Sequence, residues 1–257
     1  MERLRQPGKK GLGRQQLLLF GMLFLLAGMF SRSFLQNRVL QMGSLTGWQL
    51  LEVMSTSSGA VAAATVALVM QALETCAIPI FAFLLVDGYE TCQNRRKMLL
   101  FLLIMALVSE IPYNVAMSGE VLYMKSRSPA VAMVIGMAVL YFFHRYSENS
   151  FKNVLVRIFV GIAAVLWAVM LSVDHGVALL VVMMAMWALR KKKHLLALVG
   201  GAVAAACVLI SPFYLASAMG ILPVYLCREE DPAETKIFPY LIYPVLLLAV
   251  GLLSNFI

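Results

Sequence analysis

Two acidic residues, Asp87 and Glu110, lie in or beside consecutive apolar segments of the sequence. A carboxylate at the centre of a bilayer costs about 2.5–3.5 kcal/mol, so it needs a partner, a polar interior or a proton. Pro112 follows Glu110, and its missing N–H frees a carbonyl that can join a polar pocket. Both acids are therefore candidates for proton chemistry. The alternatives are a structural carboxyl for Glu110 and a helix-terminal acid in headgroup water for Asp87.

Asp174 and His175 form a second candidate group, at the join between two apolar segments. Together they could supply an acid and a base, and a histidine suits proton transfer near neutral pH. Adjacent residues on a helix point about 100° apart, so the two side chains need not share a target. An aspartate just before a helix also caps free backbone N–H groups, and this structural role stays open.

The elements that must position these side chains are membrane helices. The chain of 257 residues is 61% hydrophobic and only 13% charged, which is too apolar for a soluble domain. The apolar segments show no alternation of period two, so helices are favoured over a barrel. We predict an all-α fold, a polytopic transmembrane bundle of about eight to nine helices in the lipid bilayer.

Apolar runs and the breaks between them predict the individual helices. A first apolar run covers residues 17–30. The predicted helices that follow it are 50–71, 76–89, 98–118, 129–144, 154–173, 176–189, 194–212 and 237–257. Glu52 and Glu74 bracket the helix at 50–71 near its ends, where we expect water to reach them.

Short basic turns predict the orientation of the bundle. The turns 95–97, 145–157 and 190–193 fall on one side if the helices alternate, and the positive-inside rule makes that side the cytoplasm. The chain is thus predicted to be a multi-pass protein of the plasma membrane. A full crossing by 17–30 would place the basic tail outside, so we expect a short, tilted or re-entrant segment with both ends inside. A signal-like segment is the alternative.

Two regions follow from this pattern: a basic tail with a short apolar segment at 1–49, and a transmembrane domain at 50–257. The formal charge of +8 resides in turns and tail and indicates lipid headgroups rather than nucleic acid. The four cysteines form no metal-ligand or disulfide pattern. Neither a phosphate-binding glycine loop nor a metal-ligand spacing is found, so we predict no metal.

Several motifs in the second region resemble the TraX family of integral membrane proteins. The most specific block is 78–114, and weaker matches continue in the same order almost to the last residue. The motifs are IPIFAFLL at 78–85, Val86-Asp87-Gly88, Asn94-Arg95-Arg96-Lys97, Ser109-Glu110-Ile111-Pro112-Tyr113-Asn114, Asp174-His175-Gly176, Leu222-Pro223 and Tyr240-Leu241-Ile242-Tyr243-Pro244.

The resemblance implies an acyltransferase that uses acetyl-coenzyme A as co-substrate. Its acceptor would be the amino terminus of a pilin-like or other small membrane peptide. The basic turn at 95–97 would receive the coenzyme's phosphates, although such charges also serve as topology determinants. The implied catalytic residues are Glu110, Asp174 and His175, and the implied substrate- or cofactor-binding residues are Asp87, Arg95, Arg96, Lys97, Tyr113, Asn114 and Tyr243.

Departures from the family pattern affect positions suited to catalysis. Thr56-Ser57-Ser58-Gly59 stands where the family has Asp-His-Ile-Gly, and Leu246 replaces a histidine of the last helix. Two other functions therefore remain open. One is a catalytically degenerate scaffold or binding protein, and the other is a small proton-coupled transporter that uses Asp87 and Glu110.

Overall fold

The computed structural model describes residues 11–40, 47–123, 125–148, 150–190, 193–227 and 238–256. The basic tail before residue 11, part of the turn at 190–193 and the predicted ends of the last helix, 237 and 257, lie outside these ranges. Within them the regular structure is helical, which confirms the all-α prediction. The α-helices are α1 (Arg14–Phe30), α2 (Gly47–Thr56), α3 (Ser58–Thr75), α4 (Ala77–Thr91), α5 (Arg95–Ser118), α6 (Pro129–Arg145), α7 (Phe151–Met170), α8 (Gly176–Ala188), α9 (Lys193–Ala206), α10 (Ile221–Tyr225) and α11 (Phe238–Phe256).

Four helical stretches are long and apolar enough to cross a membrane, which supports the predicted membrane protein. They are Arg14–Val39, Ser58–Thr91, Arg95–Ser118 and Phe151–Met170. Shorter apolar helices pack among them, and α8 supplies much of the core, with Leu180, Met183 and Met186 fully buried. α7 is far less enclosed, because only 17% of its apolar stretch is buried.

The basic turns meet at one end of the bundle, here called the basic end. The rings of Tyr89 and His144 lie 5.8 Å apart, and the guanidinium of Arg95 lies 4.4 Å from the centre of the Tyr89 ring. Glu90 forms an ion pair of 3.1 Å with Arg190. The last turns of α4, α6 and α8 therefore lie beside the first turn of α5.

The turn between α7 and α8 lies at the opposite end. It pairs with the loop before α6 through two backbone hydrogen bonds: the Arg127 N–H donates to the Ser172 carbonyl, and the Asp174 N–H donates to the Arg127 carbonyl, each at 3.0 Å. Ser172 and His175 adopt positive φ values of 52° and 54°, in the left-handed region. This turn is thus tied to the loop that follows α5.

The N-terminal helix corrects one expectation. α1 continues into a π-helix, Ser31–Val39, so the helical stretch covers 26 residues instead of ending near residue 30. Arg14 pairs with Asp87 near the basic end, and Arg32 pairs with Asp174 at the opposite end. The expected re-entrant segment with both ends on one side is therefore wrong. Two of the polar residues that seemed to end the apolar run have partners inside the protein: Ser31 Oγ donates to the Ala67 carbonyl at 2.8 Å, and Arg32 pairs with Asp174.

Two other predicted helices have different boundaries. The helix predicted at 50–71 is divided at Ser57, whose extended backbone ends α2 and whose side chain accepts the Ala60 N–H at the start of α3. The helix predicted at 194–212 ends earlier, and a 3₁₀-helix, Pro212–Gly220, follows and leads into α10. This short segment packs against α9, α3 and α4. Its brief apolar pattern did not distinguish it from a loop.

Candidate functional site

Four ionisable side chains from three separate segments meet at the opposite end: Arg32, Glu74, Asp174 and His175. We call them the ionic quartet. Arg32 Nη1 lies 2.7 Å from Asp174 Oδ2, and Arg32 Nη2 contacts Glu74 Oε1. His175 Nε2 lies 3.3 Å from Glu74 Oε1. The Glu74 side chain is 1% exposed and the other three are 15–17% exposed, so the quartet is largely withdrawn from solvent.

Local sequence explains how Glu74 reaches this position. It lies in the last turn of α3, directly against Gly28 of α1, where a Cβ atom would overlap the Glu74 side chain. Only glycine therefore lets the two helices approach this closely around a carboxylate. The next residue, Thr75, donates its hydroxyl to the Phe213 carbonyl at 3.0 Å and thereby fixes the end of α3 against the 3₁₀-helix.

Glu110 is linked to the quartet indirectly. Its carboxylate forms an ion pair of 3.0 Å with Arg127 and accepts the Ser128 N–H at 3.3 Å. The Arg127 backbone in turn pairs with the turn that carries Asp174. The structure thus brings the side chains of Asp174 and His175 into one cluster, and it places Glu110 behind them as a support for their turn.

Three tyrosines surround the quartet. Tyr113 donates its hydroxyl to Asp174 Oδ2 at 3.2 Å, and the hydroxyl of Tyr214 lies 2.9 Å from His175 Nδ1. Tyr243 lies 3.3 Å from the Ser128 hydroxyl, beside the same turn. Asn114 donates its amide to the Val121 carbonyl at 3.1 Å, beyond the end of α5, and the binding role expected for it stays a prediction.

The charges of the quartet act on each other strongly. Burial alone would raise the pKa of Asp174, but Arg32 and His175 outweigh it and lower that pKa. Burial opposes the charge on His175, yet the carboxylates of Asp174 and Glu74 outweigh it and raise the pKa of the imidazole. With His175 protonated, two cations face two anions, so the quartet is electrically balanced in that state.

A metal ion fits this arrangement poorly. One ligand atom from each of Glu74, Asp174 and His175 lies within 4.8 Å of the others, and such a donor set suits divalent metals. However, the guanidinium of Arg32 already bridges the two carboxylates. A metal would therefore have to lie beside a buried cation, and the quartet is better described as built around Arg32.

A narrow apolar cavity of about 40 Å³ adjoins the quartet. Leu18, Met22 and Leu25 line it on the α1 side, and Glu74, His175 and Tyr243 contribute to its wall as well. Such a volume admits only a small group. Glu74 Oε2 is buried without a hydrogen-bond partner among the described residues, and the contacts of His175 Nε2 are the carboxylates of Glu74 and Asp174, at 3.3 and 3.7 Å. The cavity thus places an apolar space beside two ionisable residues of the quartet, Glu74 and His175.

The predicted cofactor-binding residues lie at the other end of the bundle. Arg95 donates to the Tyr89 carbonyl at 3.2 Å, and Lys97 lies 5.6 Å from the centre of the Phe101 ring. Arg96 is exposed. From Arg95 to Tyr113 the helix rises about 27 Å, so the basic turn and the quartet are not in contact.

Sequence reasoning missed Arg32 and misplaced Glu74. Glu74 was expected near water and is instead among the most buried residues, so that expectation was wrong. A signal for Arg32 did exist, because a lone arginine between two serines directly follows a long apolar run. The replaced family positions, Thr56 and Ser57, are exposed and lie about 26 Å before Glu74 along α3.

The chain was compared with known proteins. The model of a protein family described as TraX protein matches residues 38–254. This range includes Glu74, Asp174 and His175 but begins after Arg32. No curated protein and no solved structure matches the chain.

Proposed function

Because the chain belongs to the TraX family of membrane proteins, we propose that it transfers an acetyl group from acetyl-coenzyme A to an amine. The acceptor is the amino terminus of a pilin-like or other small membrane peptide. The ionic quartet is the observation that carries this proposal. Ionisable groups at membrane depth are costly and occur where chemistry or transport needs them. Here two of them also line a cavity.

The two ionisable residues that line the cavity, Glu74 and His175, each have a role in the reaction. The carboxylate of Glu74 holds the acceptor's ammonium group. Arrival of that cation disfavours the charge on His175, so the imidazole is neutral when the acceptor is bound. His175 then takes a proton from the ammonium and leaves a nucleophilic amine.

The transfer step balances without a further reactant. The amine nitrogen attacks the thioester carbonyl carbon, a C–N bond forms and the C–S bond breaks. The imidazolium of His175 returns its proton to the leaving thiolate, which becomes coenzyme A. The second ammonium proton passes to Glu74 and then to water. The products are an acetylated amine, a free thiol and one proton.

The cavity is too small for the arm of the donor, but its apolar lining marks the direction from which the donor enters. The residues of α1 that line the cavity extend from Leu25 to Leu18. Leu18 lies about 6 Å along α1 from Arg14, which pairs with Asp87 at the basic end. We place the basic end in the cytoplasm, in a multi-pass protein of the plasma membrane. Acetyl-coenzyme A then enters from the side on which it is made, with its phosphates near Arg95, Arg96 and Lys97 and its acyl arm directed along α1.

A transfer assay tests the proposal. The purified chain in liposomes is incubated with acetyl-coenzyme A and a synthetic single-span peptide with a free amino terminus, and mass spectrometry counts acetylated peptide. We expect His175→Asn to lower the rate by about 10²–10⁴-fold, the usual contribution of a general base. His144→Asn is the matched control, because this exposed histidine lies at the basic end. Equal rates in both variants would refute the assignment of His175.

Binding of the donor is tested separately by calorimetry. Wild type should bind acetyl-coenzyme A saturably, and the triple variant Arg95→Ala, Arg96→Ala, Lys97→Ala should bind it more weakly. No binding by the wild type at cellular coenzyme concentrations would exclude the acyltransferase.

A second candidate is a TraX-like scaffold that has lost its chemistry and binds another membrane protein. The replaced family residues at Thr56, Ser57 and Leu246 favour it. Restoring them by Thr56→Asp, Ser57→His and Leu246→His should create transfer if this candidate is correct. The control Ser57→Asn keeps a side chain able to cap α3. The proton-coupled transporter gains no support, because Asp87 and Glu110 are held in separate ion pairs.

A further inference from the structure

An open apolar groove runs along α7, away from the ionic quartet. Its volume is about 520 Å³, and α7, α8 and Phe143 of α6 line it. Gly161 forms part of its floor, where a Cβ atom would lie 2.9 Å from Met184 Sδ. Because α7 is apolar, long enough to cross a membrane and mostly unburied, we expect this groove to face lipid chains.

One end of the groove is cationic. Arg157 lies six residues after the start of α7, about 9 Å along the helix, where a long side chain reaches the headgroup region. Its guanidinium lies 5.7 Å from the centre of the Trp187 ring, and that of Arg190 lies 3.8 Å from the same ring. Of these two cations, Arg190 has a carboxylate partner, Glu90. Among the described residues an excess of positive charge therefore remains at the groove, carried by Arg157.

Trp187 supplies an independent indication of a ligand. The residue is only 3% exposed and lines the groove, and its Nε1–H has no hydrogen-bond partner among the described residues. A buried indole N–H normally finds an acceptor. An acceptor oxygen of a bound molecule would satisfy this N–H.

We propose that the groove binds one anionic phospholipid. An acyl chain lies along the apolar floor over Gly161, and the phosphate accepts hydrogen bonds from Arg157 and from Trp187 Nε1. A neutral lipid shares the acyl chains but its net charge does not complement the groove's excess of cations. An anion without acyl chains leaves the apolar floor uncovered.

Native mass spectrometry of the detergent-purified full chain tests the site. The protein is mixed with phosphatidylglycerol or phosphatidylcholine of identical acyl chains, and the retained lipid is counted. We expect wild type to retain phosphatidylglycerol about fivefold more, the effect of one cation near a membrane surface. Arg157→Gln should abolish this preference. Arg145→Gln, an exposed arginine of α6 at the same end, should keep it.

Two further variants separate the headgroup contact from the groove. Trp187→Phe keeps the ring and removes the N–H, so the preference should fall while both lipids still bind. Ile158→Trp fills the groove and should reduce retention of both lipids, whereas Phe159→Trp, outside the groove lining, should not. Equal retention of the two lipids by wild type, or equal behaviour of Arg157→Gln and Arg145→Gln, would overturn the proposal.

Discussion

The two ends of the bundle use ion pairs in different ways. At the basic end the acids pair with different guanidinium groups, Asp87 with Arg14 and Glu90 with Arg190, and the acidic side chains are 28% and 34% exposed. At the opposite end one guanidinium serves two carboxylates, and one of these is almost fully buried. Exposed pairs contribute about 0–1 kcal/mol each, whereas an unbalanced buried charge costs several times more.

This difference between the two ends shows that a cluster of charged residues does not by itself indicate a functional site. The basic end holds more charged residues, but each can exchange its partner for water. In the quartet the loss of one member leaves another buried without compensation. Five experiments can break or sharpen this contrast.

Removal of Arg32 should have the largest effect. Arg32→Met leaves His175 as the one cation of the quartet for the two buried carboxylates of Glu74 and Asp174, and we expect the free energy of unfolding to fall by about 3–5 kcal/mol. Denaturant unfolding in detergent measures it. Arg14→Met is the matched control and should cost about 1 kcal/mol or less.

A double variant tests whether uncompensated charge causes the loss of stability in Arg32→Met. Arg32→Met with Glu74→Gln removes one cation and one anion, so its cost should be smaller than the sum of the two single costs by about 0.5–3 kcal/mol. Strict additivity would contradict the view that the quartet acts as a unit.

Loss of the Glu110 carboxylate should have an intermediate effect. Glu110→Gln weakens the contact with Arg127 and the hydrogen bond from the Ser128 N–H, and we expect a loss of about 1–3 kcal/mol in unfolding free energy. Glu120→Gln, an exposed acid in the loop after α5, should leave stability unchanged. A null result for Glu110→Gln would mean that the Asp174 turn does not depend on it.

Titration of the quartet should change the free energy of unfolding less than these substitutions do, because the side chains stay in place. His175 has a folded-state pKa above its ordinary value of 6.5, so its stabilisation is complete below pH 6.5 and is lost as the pH rises through the folded-state pKa. Asp174 has a lowered pKa, so its stabilisation is present above pH 3.8 and is lost below it as its folded-state pKa is passed.

Stability should therefore be greatest between about pH 3.8 and 6.5. Thermal unfolding across a pH series measures this. His175→Asn tolerates the positive φ at this position and should remove the loss on the alkaline side. If the variant still loses stability as the pH rises above 6.5, another group causes that loss.

The exposed pair Glu90–Arg190 should give the smallest effect. Glu90→Gln should cost below about 1 kcal/mol, and the difference from wild type should vanish in 1 M salt because exposed charges are screened. The same salt series should leave the cost of Arg32→Met nearly unchanged. Equal salt sensitivity at both ends would remove the contrast between them.

The helical fold could be predicted from apolar run lengths, but its irregular parts could not. The π-helix at Ser31–Val39 holds Ser31 and Arg32, whose partners, the Ala67 carbonyl and the carboxylates of Glu74 and Asp174, are distant in sequence. A hydropathy pattern contains no information about such partners, so the predicted first helix ended too early. The 3₁₀-helix at Pro212–Gly220 is too short to show a helical period.

Only two of the four residues of the quartet could be predicted, because the other two also depend on partners distant in sequence. Asp174 and His175 were found because they are adjacent in sequence. Arg32 and Glu74 are separated from each other by 42 positions, and neither has a local motif. Their roles arise from the packing of α1, α3 and the turn before α8, which no spacing in one sequence encodes.

The contact of Gly28 with Glu74 connects the site to the surrounding bilayer. The backbone of α1 forms one wall of the carboxylate's position, so the crossing of two helices, and not a side chain, determines where that oxygen lies. Long membrane helices adjust their tilt to the hydrophobic thickness of the lipid. A thicker or thinner membrane that tilts α1 against α3 therefore displaces Glu74, and the lipid environment becomes a determinant of the quartet's geometry.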